Sequence, residues 1–184
     1  MKVSHLFCLC SLLFLSGCAS TGESKKFLQQ AHAVSVETQY RIQDVQGLNP
    51  AQIALQEQVR WKEVQPSVQS YESGFISTFK SLCTRAADQK DVAPLYDYAD
   101  TLRSQEHLLK TLGEQKGILL SPEVKLTNGI TMSIPDYVQQ VARDAAPIIK
   151  NDTDNALNNE KTSHFMSTLS NVMLVVSRLA RSYR

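Results

Sequence analysis

One apolar stripe constrains this chain more than any other feature. Trp61, Val64, Val68, Tyr71, Phe75, Phe79, Leu82 and Ala86 recur at three- and four-residue spacing, which places them on one face of a helix. The stripe passes Pro66 without losing phase, so the expectation is a kinked helix or two nearly collinear ones. A stripe this long needs other elements to cover it. Seven Gly and six Pro in 184 residues are too few for a turn-rich all-β chain. A hydrophobic content of 42% is enough for one core without disulfides.

Caps and periodicity mark the start of this helix and the extent of the others. Asn49-Pro50-Ala51-Gln52 has a capping Asn, a first-turn Pro and a Gln three residues on. Asp91 and Pro94 open a second helix, with Leu95, Ala99, Leu102, Leu109 and Leu112 inward and Gly117 as its stop. Ser133, with Asp136 three residues later, caps a third that carries Ile134, Val138, Val141, Ala145 and Ile148. Pro147 is expected to break or kink it before a polar connection from Asn151 to Asn159. Leu169, Val172, Met173, Val176, Leu179, Ala180 and Tyr183 form the face of a last helix, with Arg178, Arg181 and Arg184 at its end, where positive charge suits the dipole.

Residues 27–45 fit two periods. Phe27, Ala31, Val34, Thr38, Ile42 and Val45 fall at helical spacing, while Val34, Val36, Thr38, Tyr40 and Ile42 alternate as in a strand. The length and the Gly47 stop favour a helix. Between Pro122 and Pro135, a three-residue turn at Thr127-Asn128-Gly129 pairs Leu126 with Ile130 and Val124 with Met132. That register gathers the apolar side chains on one face. The expected fold is all-α, a bundle of four to five helices with kinks and a small β-hairpin near 123–133, forming a single domain over 27–184.

The N-terminus carries a different message. Met1-Lys2-Val3-Ser4-His5 precedes an apolar run from Leu6 to Leu15. The run is an export signal, too short for the roughly 20 residues a membrane span needs. Leu15-Ser16-Gly17-Cys18 resembles the lipobox of bacterial lipoproteins. The resemblance implies removal of residues 1–17, a diacylglycerol on the Cys18 thiol and an acylated N-terminus. Ala19-Ser20 follows, not the aspartate that resembles an inner-membrane retention signal, which points to the periplasmic face of the outer membrane in a Gram-negative cell. In any other cell the same lipid would anchor the chain to the cell membrane. Residues 18–26 read as lipidated Cys18 and a short polar tether, with Ser20–Lys26 spanning at most about 25 Å. Lys25 and Lys26 are expected as solvated charges, with contact to anionic lipid head groups as the alternative. Cys8 and Cys10 leave with the signal, so Cys83 remains as a single thiol, expected as a small core residue or a bridge to another chain.

Charge and motifs narrow the chemistry. With 19 Lys+Arg against 18 Asp+Glu, the chain lacks the cationic surplus of a nucleic-acid binder. His32, His107 and His164 are far apart in sequence, with no His-Glu-x-x-His and no paired cysteines for zinc. Ser77-Thr78-Phe79-Lys80 resembles the Ser-x-x-Lys of penicillin-interacting enzymes, and Lys161-Thr162-Ser163 their second motif; a helical chain of this size is too small for that fold. Asp152-Thr153-Asp154 begins like a calcium loop and fails at Ala156, Leu157 and Ser163. The helix layout over 61–184 resembles ferritin-like bundles, whose metal sites use Glu and Glu-x-x-His. Glu106 falls on an inward stripe, yet Leu109 stands where a ligand His would, and Glu160 is followed by Ser163 with His164 one residue late.

The expectation is a non-enzymatic, membrane-anchored lipoprotein without cofactor or metal, a helical module binding another envelope protein. Small helical lipoproteins of this plan resemble secretion-system accessories such as pilotins, or immunity and exclusion lipoproteins. The alternative is a ferritin-like bundle binding a metal or small ligand.

Overall fold

The computed structural model describes the backbone of residues 22–182 and the side chains of 22–165 and 167. The signal at 1–17 and Cys18 lie outside the described residues, as do the side chains of the 169–183 stripe and the three terminal arginines. Among the described residues the fold is a helical bundle with a small β element. Helix α1 (Glu23–Ala31) leads to strand β1 (Ser35–Ile42), then α2 (Pro50–Gln89), α3 (Ala93–Gln115), β2 (Ile118–Lys125), β3 (Thr131–Ser133) and α4 (Ile134–Ser182). The described residues divide into two compact units, one of residues 24–147 and one that contains 148–182.

Helix α2 is continuous through Pro66. The ring forfeits one backbone hydrogen bond, and the buried stripe on both sides holds the helix in register. Val64, Val68, Phe75, Phe79, Cys83, Ala86 and Ala87 are buried, and Phe75 stacks on Phe79 at 5.3 Å between centroids. The Asn49 side chain accepts from the Gln52 N–H at 3.0 Å while Gln52 accepts from the Asn49 N–H, a reciprocal capping box. Lys90 ends the helix in the left-handed conformation, φ 58°, and its ammonium donates to Ser24 Oγ at 2.9 Å.

The expected helix at 27–45 is replaced by a short helix, a turn and a strand. Glu23–Lys26 of the expected tether form the first turn of α1. Beyond Ala31 the chain turns, and β1 pairs antiparallel with β2, placing Val36 beside Val124, Thr38 beside Pro122, Tyr40 beside Leu120 and Ile42 beside Ile118. Two local periods compete evenly here, and pairing with a strand distant in sequence decides between them. The expected hairpin is accordingly longer on one side, since β2 begins at Ile118. Its register is the one expected: Val124 pairs with Met132, the Leu126 N–H donates to Ile130 O at 2.9 Å, and Gly129 takes φ 83°.

The ladder has a definite parity. The Gln43 N–H donates to Gly117 O at 2.8 Å, so odd-numbered residues of β1 bond to β2 and even-numbered ones turn their N–H and C=O to the opposite edge. By the same count Pro122 aims its nitrogen toward the β3 side, level with Ile134, where β3 has already ended. It therefore costs no ladder bond.

The sheet order is β1-β2-β3. Its inner face, with Ile118, Leu120 and Val124 buried, covers Val64 and Val68 of α2 and Leu109 of α3. The start of α4 closes the other end, Tyr137 meeting Phe79 edge-on at 5.9 Å and donating to Ala31 O at 2.7 Å. Two expectations about α4 are corrected. Pro147 does not break it, and 151–159 is helical rather than a connection. Thr153 and Thr162 donate their hydroxyls to the carbonyls of Ile149 and Asn158 four residues back, a geometry that only a helical backbone offers.

Candidate functional site

The two longest helices of the 24–147 unit leave a gap between them. On α2 the gap is lined by Ser67, Ser70, Tyr71, Gly74 and Thr78, and on α3 by Tyr98, Gln105, Leu108, Leu109 and Leu112. Both sets recur at three- and four-residue spacing, so each is one helix face. Small residues on α2 face large ones on α3, and the result is an open groove of about 590 Å³. A Cβ added at Gly74 would meet nothing within 4 Å. Leu108, on the rim, is 68% exposed.

Polar groups are recessed beside this apolar trough. The ring of Tyr71 packs on the Val64, Val68, Leu109, Ile118 and Leu120 cluster, and its buried hydroxyl finds no partner among the described residues. Burial, and then the nearby Glu106 carboxylate and Tyr98, push that phenol well above its ordinary pKa. Burial also raises the Tyr98 pKa, opposed by a hydrogen bond with Thr78 that crosses the groove. Glu106 is buried on α3 with Lys110 Nζ 2.5 Å from Oε1, while Oε2 has no partner among the described residues.

The residues singled out in the sequence are scattered. Ser77 and Lys80 are both exposed on α2, in contact with solvent rather than in a water-excluded pocket. Cys83 is 1% exposed, and burial pushes its thiol pKa up to about 12, so it is an inert core residue and not a bridge. Lys25, Lys26, His107, Glu160, Ser163 and His164 are exposed, and His32 is half-buried. Among the described residues no three His, Cys, Asp or Glu side chains are placed to hold a metal ion, and no helix is long and apolar enough to cross a membrane.

Glu106 and the apolar stripes are visible in the sequence, and the groove is not. Its signal was present in Ser67, Ser70, Gly74 and Thr78, small residues at helical spacing beside the large stripe. No protein-family model matches the chain, and no curated protein or solved structure does either.

Proposed function

We propose that the protein is a lipoprotein of the bacterial cell envelope, anchored through Cys18 and serving as a non-enzymatic helical module for another envelope protein. The observation that carries the anchor is Leu15-Ser16-Gly17-Cys18 placed directly after an apolar run of signal length. Two or more acyl chains make attachment stable where one holds only marginally. Ala19-Ser20 favours the periplasmic face of the outer membrane in a Gram-negative cell.

The α2–α3 groove supports the second half of the reading. It is open, mostly apolar and bordered by phenols, the chemistry that receives the apolar face of a partner helix. It presents no assembled nucleophile and base, which favours docking over catalysis.

Labelling cells with an alkynyl palmitate tests the anchor. The native chain should take up label and sediment with membranes, and Cys18→Ala should do neither. A Cys18→Ala chain that still sediments would refute it. For the groove, a photo-crosslinker at Leu108 should give one envelope-protein adduct that Gly74→Phe abolishes while the fold persists. An adduct indifferent to Gly74→Phe would remove the groove from the proposal.

A further inference from the structure

The sheet has one long open edge. Strand β1 pairs with β2 on one side, and among the described residues no strand lies on the other. Along that edge Val36, Thr38, Tyr40 and Ile42 aim their N–H and C=O groups outward, by the parity fixed at Gln43 and Gly117. Natural edges of this length are usually blunted by like charges, a proline, a bulge or an inward charge; Ser35–Ile42 has no proline, pairs without a break in register, and its two charges, Glu37 and Arg41, are of opposite sign.

The sequence of the edge complements itself. Antiparallel pairing of two β1 strands about Gln39 brings Glu37 opposite Arg41 twice, Val36 opposite Ile42 and Thr38 opposite Tyr40. Centring on Thr38 places Glu37 opposite Gln39, and centring on Tyr40 places Arg41 opposite Gln39; neither pairs the charges. In the Gln39 register Glu37 and Arg41 occupy non-hydrogen-bonded positions, where facing side chains approach most closely. Glu37 and Arg41 are exposed on the outer face. Glu37 touches Lys125 only at 3.9 Å, and no ion pair engages Arg41 among the described residues.

The inner face agrees. Tyr40 stacks on Trp61 at 4.2 Å and Thr38 donates to Glu72 at 2.6 Å, so α2 runs beneath β1 and holds the strand's face fixed. The flank of α2 next to Glu72 carries Gln65, Gln69 and the 43% exposed Ile76. A second strand laid beside β1 would cover that flank.

We propose that β1 is a homodimerisation edge: two copies of the chain join their β1 strands antiparallel about Gln39 into one continuous sheet. The contact is isologous, the commonest symmetry among soluble oligomers. It lies on the sheet and does not depend on the α2–α3 groove or on the lipid.

Disulfide trapping of the purified full-length chain in mild detergent tests the register. Two Gln39→Cys chains would bring Cα atoms about 4.5 Å apart, within bridging range. Mild oxidation should convert them to a reductant-sensitive species of twice the chain mass. Glu37→Cys alone should not cross-link, whereas mixed Glu37→Cys and Arg41→Cys chains should. Glu123→Cys, on the central strand, serves as the background. Adding Arg41→Glu to Gln39→Cys should slow trapping about threefold or more, and adding Glu37→Arg as well should restore it. The proposal fails if Gln39→Cys traps no faster than Glu123→Cys. It also fails if Glu37→Cys alone traps equally well, if the charge swap does not restore trapping, or if the trapped partner is a different protein.

Discussion

Gly113 and Gly74 stand on the two helices that flank the groove, yet they meet opposite surroundings. A Cβ at 113 would lie 2.7 Å from the Ile118 carbonyl oxygen and 2.9 Å from the Leu120 side chain, while one at 74 would touch nothing. A glycine inside a helix costs up to about 1 kcal/mol relative to alanine. At Gly113 that cost is explained within the chain, because only a hydrogen in place of a side chain lets the end of α3 close on β2. At Gly74 nothing inside the chain explains it. One side of the core is finished, and the other has room left for something outside it.

The finished side should break first. Gly113→Ala is expected to destabilise the fold by about 1–3 kcal/mol through overpacking, a Tm loss of roughly 2–4 °C per kcal/mol. A melt no lower than that of a Gly74 variant would erase the contrast.

Alkaline pH probes the same closed core. Burial raises the Cys83 pKa from 9.0 to about 12 and the Tyr137 pKa from 10.0 to about 12, so the folded chain keeps protons that the unfolded chain releases. Stability is then whole below pH 9 and should fall by about 1.4 kcal/mol per pH unit for each group above its unfolded pKa. Urea titrations between pH 8 and 11 should show the decline, with a shallower slope in Cys83→Ala. An unchanged slope would show that Cys83 is not the first group to titrate.

The open side should tolerate or reward filling. Gly74→Ala is expected to stabilise the chain by about 0.5–1 kcal/mol, measured by denaturant midpoint, and a loss would mean that the gap is closed in solution. Smallest of all, Tyr71→Phe removes a hydroxyl that has no partner among the described residues and should change stability by about 0.5 kcal/mol or less. A loss well beyond that would reveal a bound water or ligand on the phenol.

The same contrast separates what was legible in the sequence from what was not. Local chemistry was readable. The Asn49 capping box, Gly117 as a stop with Ile118 fully buried behind it, and the Thr127-Asn128-Gly129 turn all depend on residues within a few positions of one another. The stripe of α2 was readable because a single face repeats for many turns. Strand β1 was not, since Val36 and Ile42 choose their period by meeting Val124 and Ile118, far along the chain. Nor did Pro147 or the polar 151–159 stretch end α4, because a helix already nucleated and packed through Val138, Val141 and Ala145 extends past one missing bond. The groove is illegible in the sequence for a related reason. Periodicity marks what a helix buries and is silent about the space that small residues leave.

The shortness of β3 carries a further consequence. With three residues it offers little template, and Pro122 and the helix start at Ile134 prevent β2 from recruiting a longer neighbour there. Among the described residues, β1 is thus the one long edge through which the sheet can grow. A strand pairing that consumes this edge in both copies leaves nothing for a third to add to. The contact is self-terminating, and a surface that in a two-edged sheet would seed a fibre is limited here to a pair.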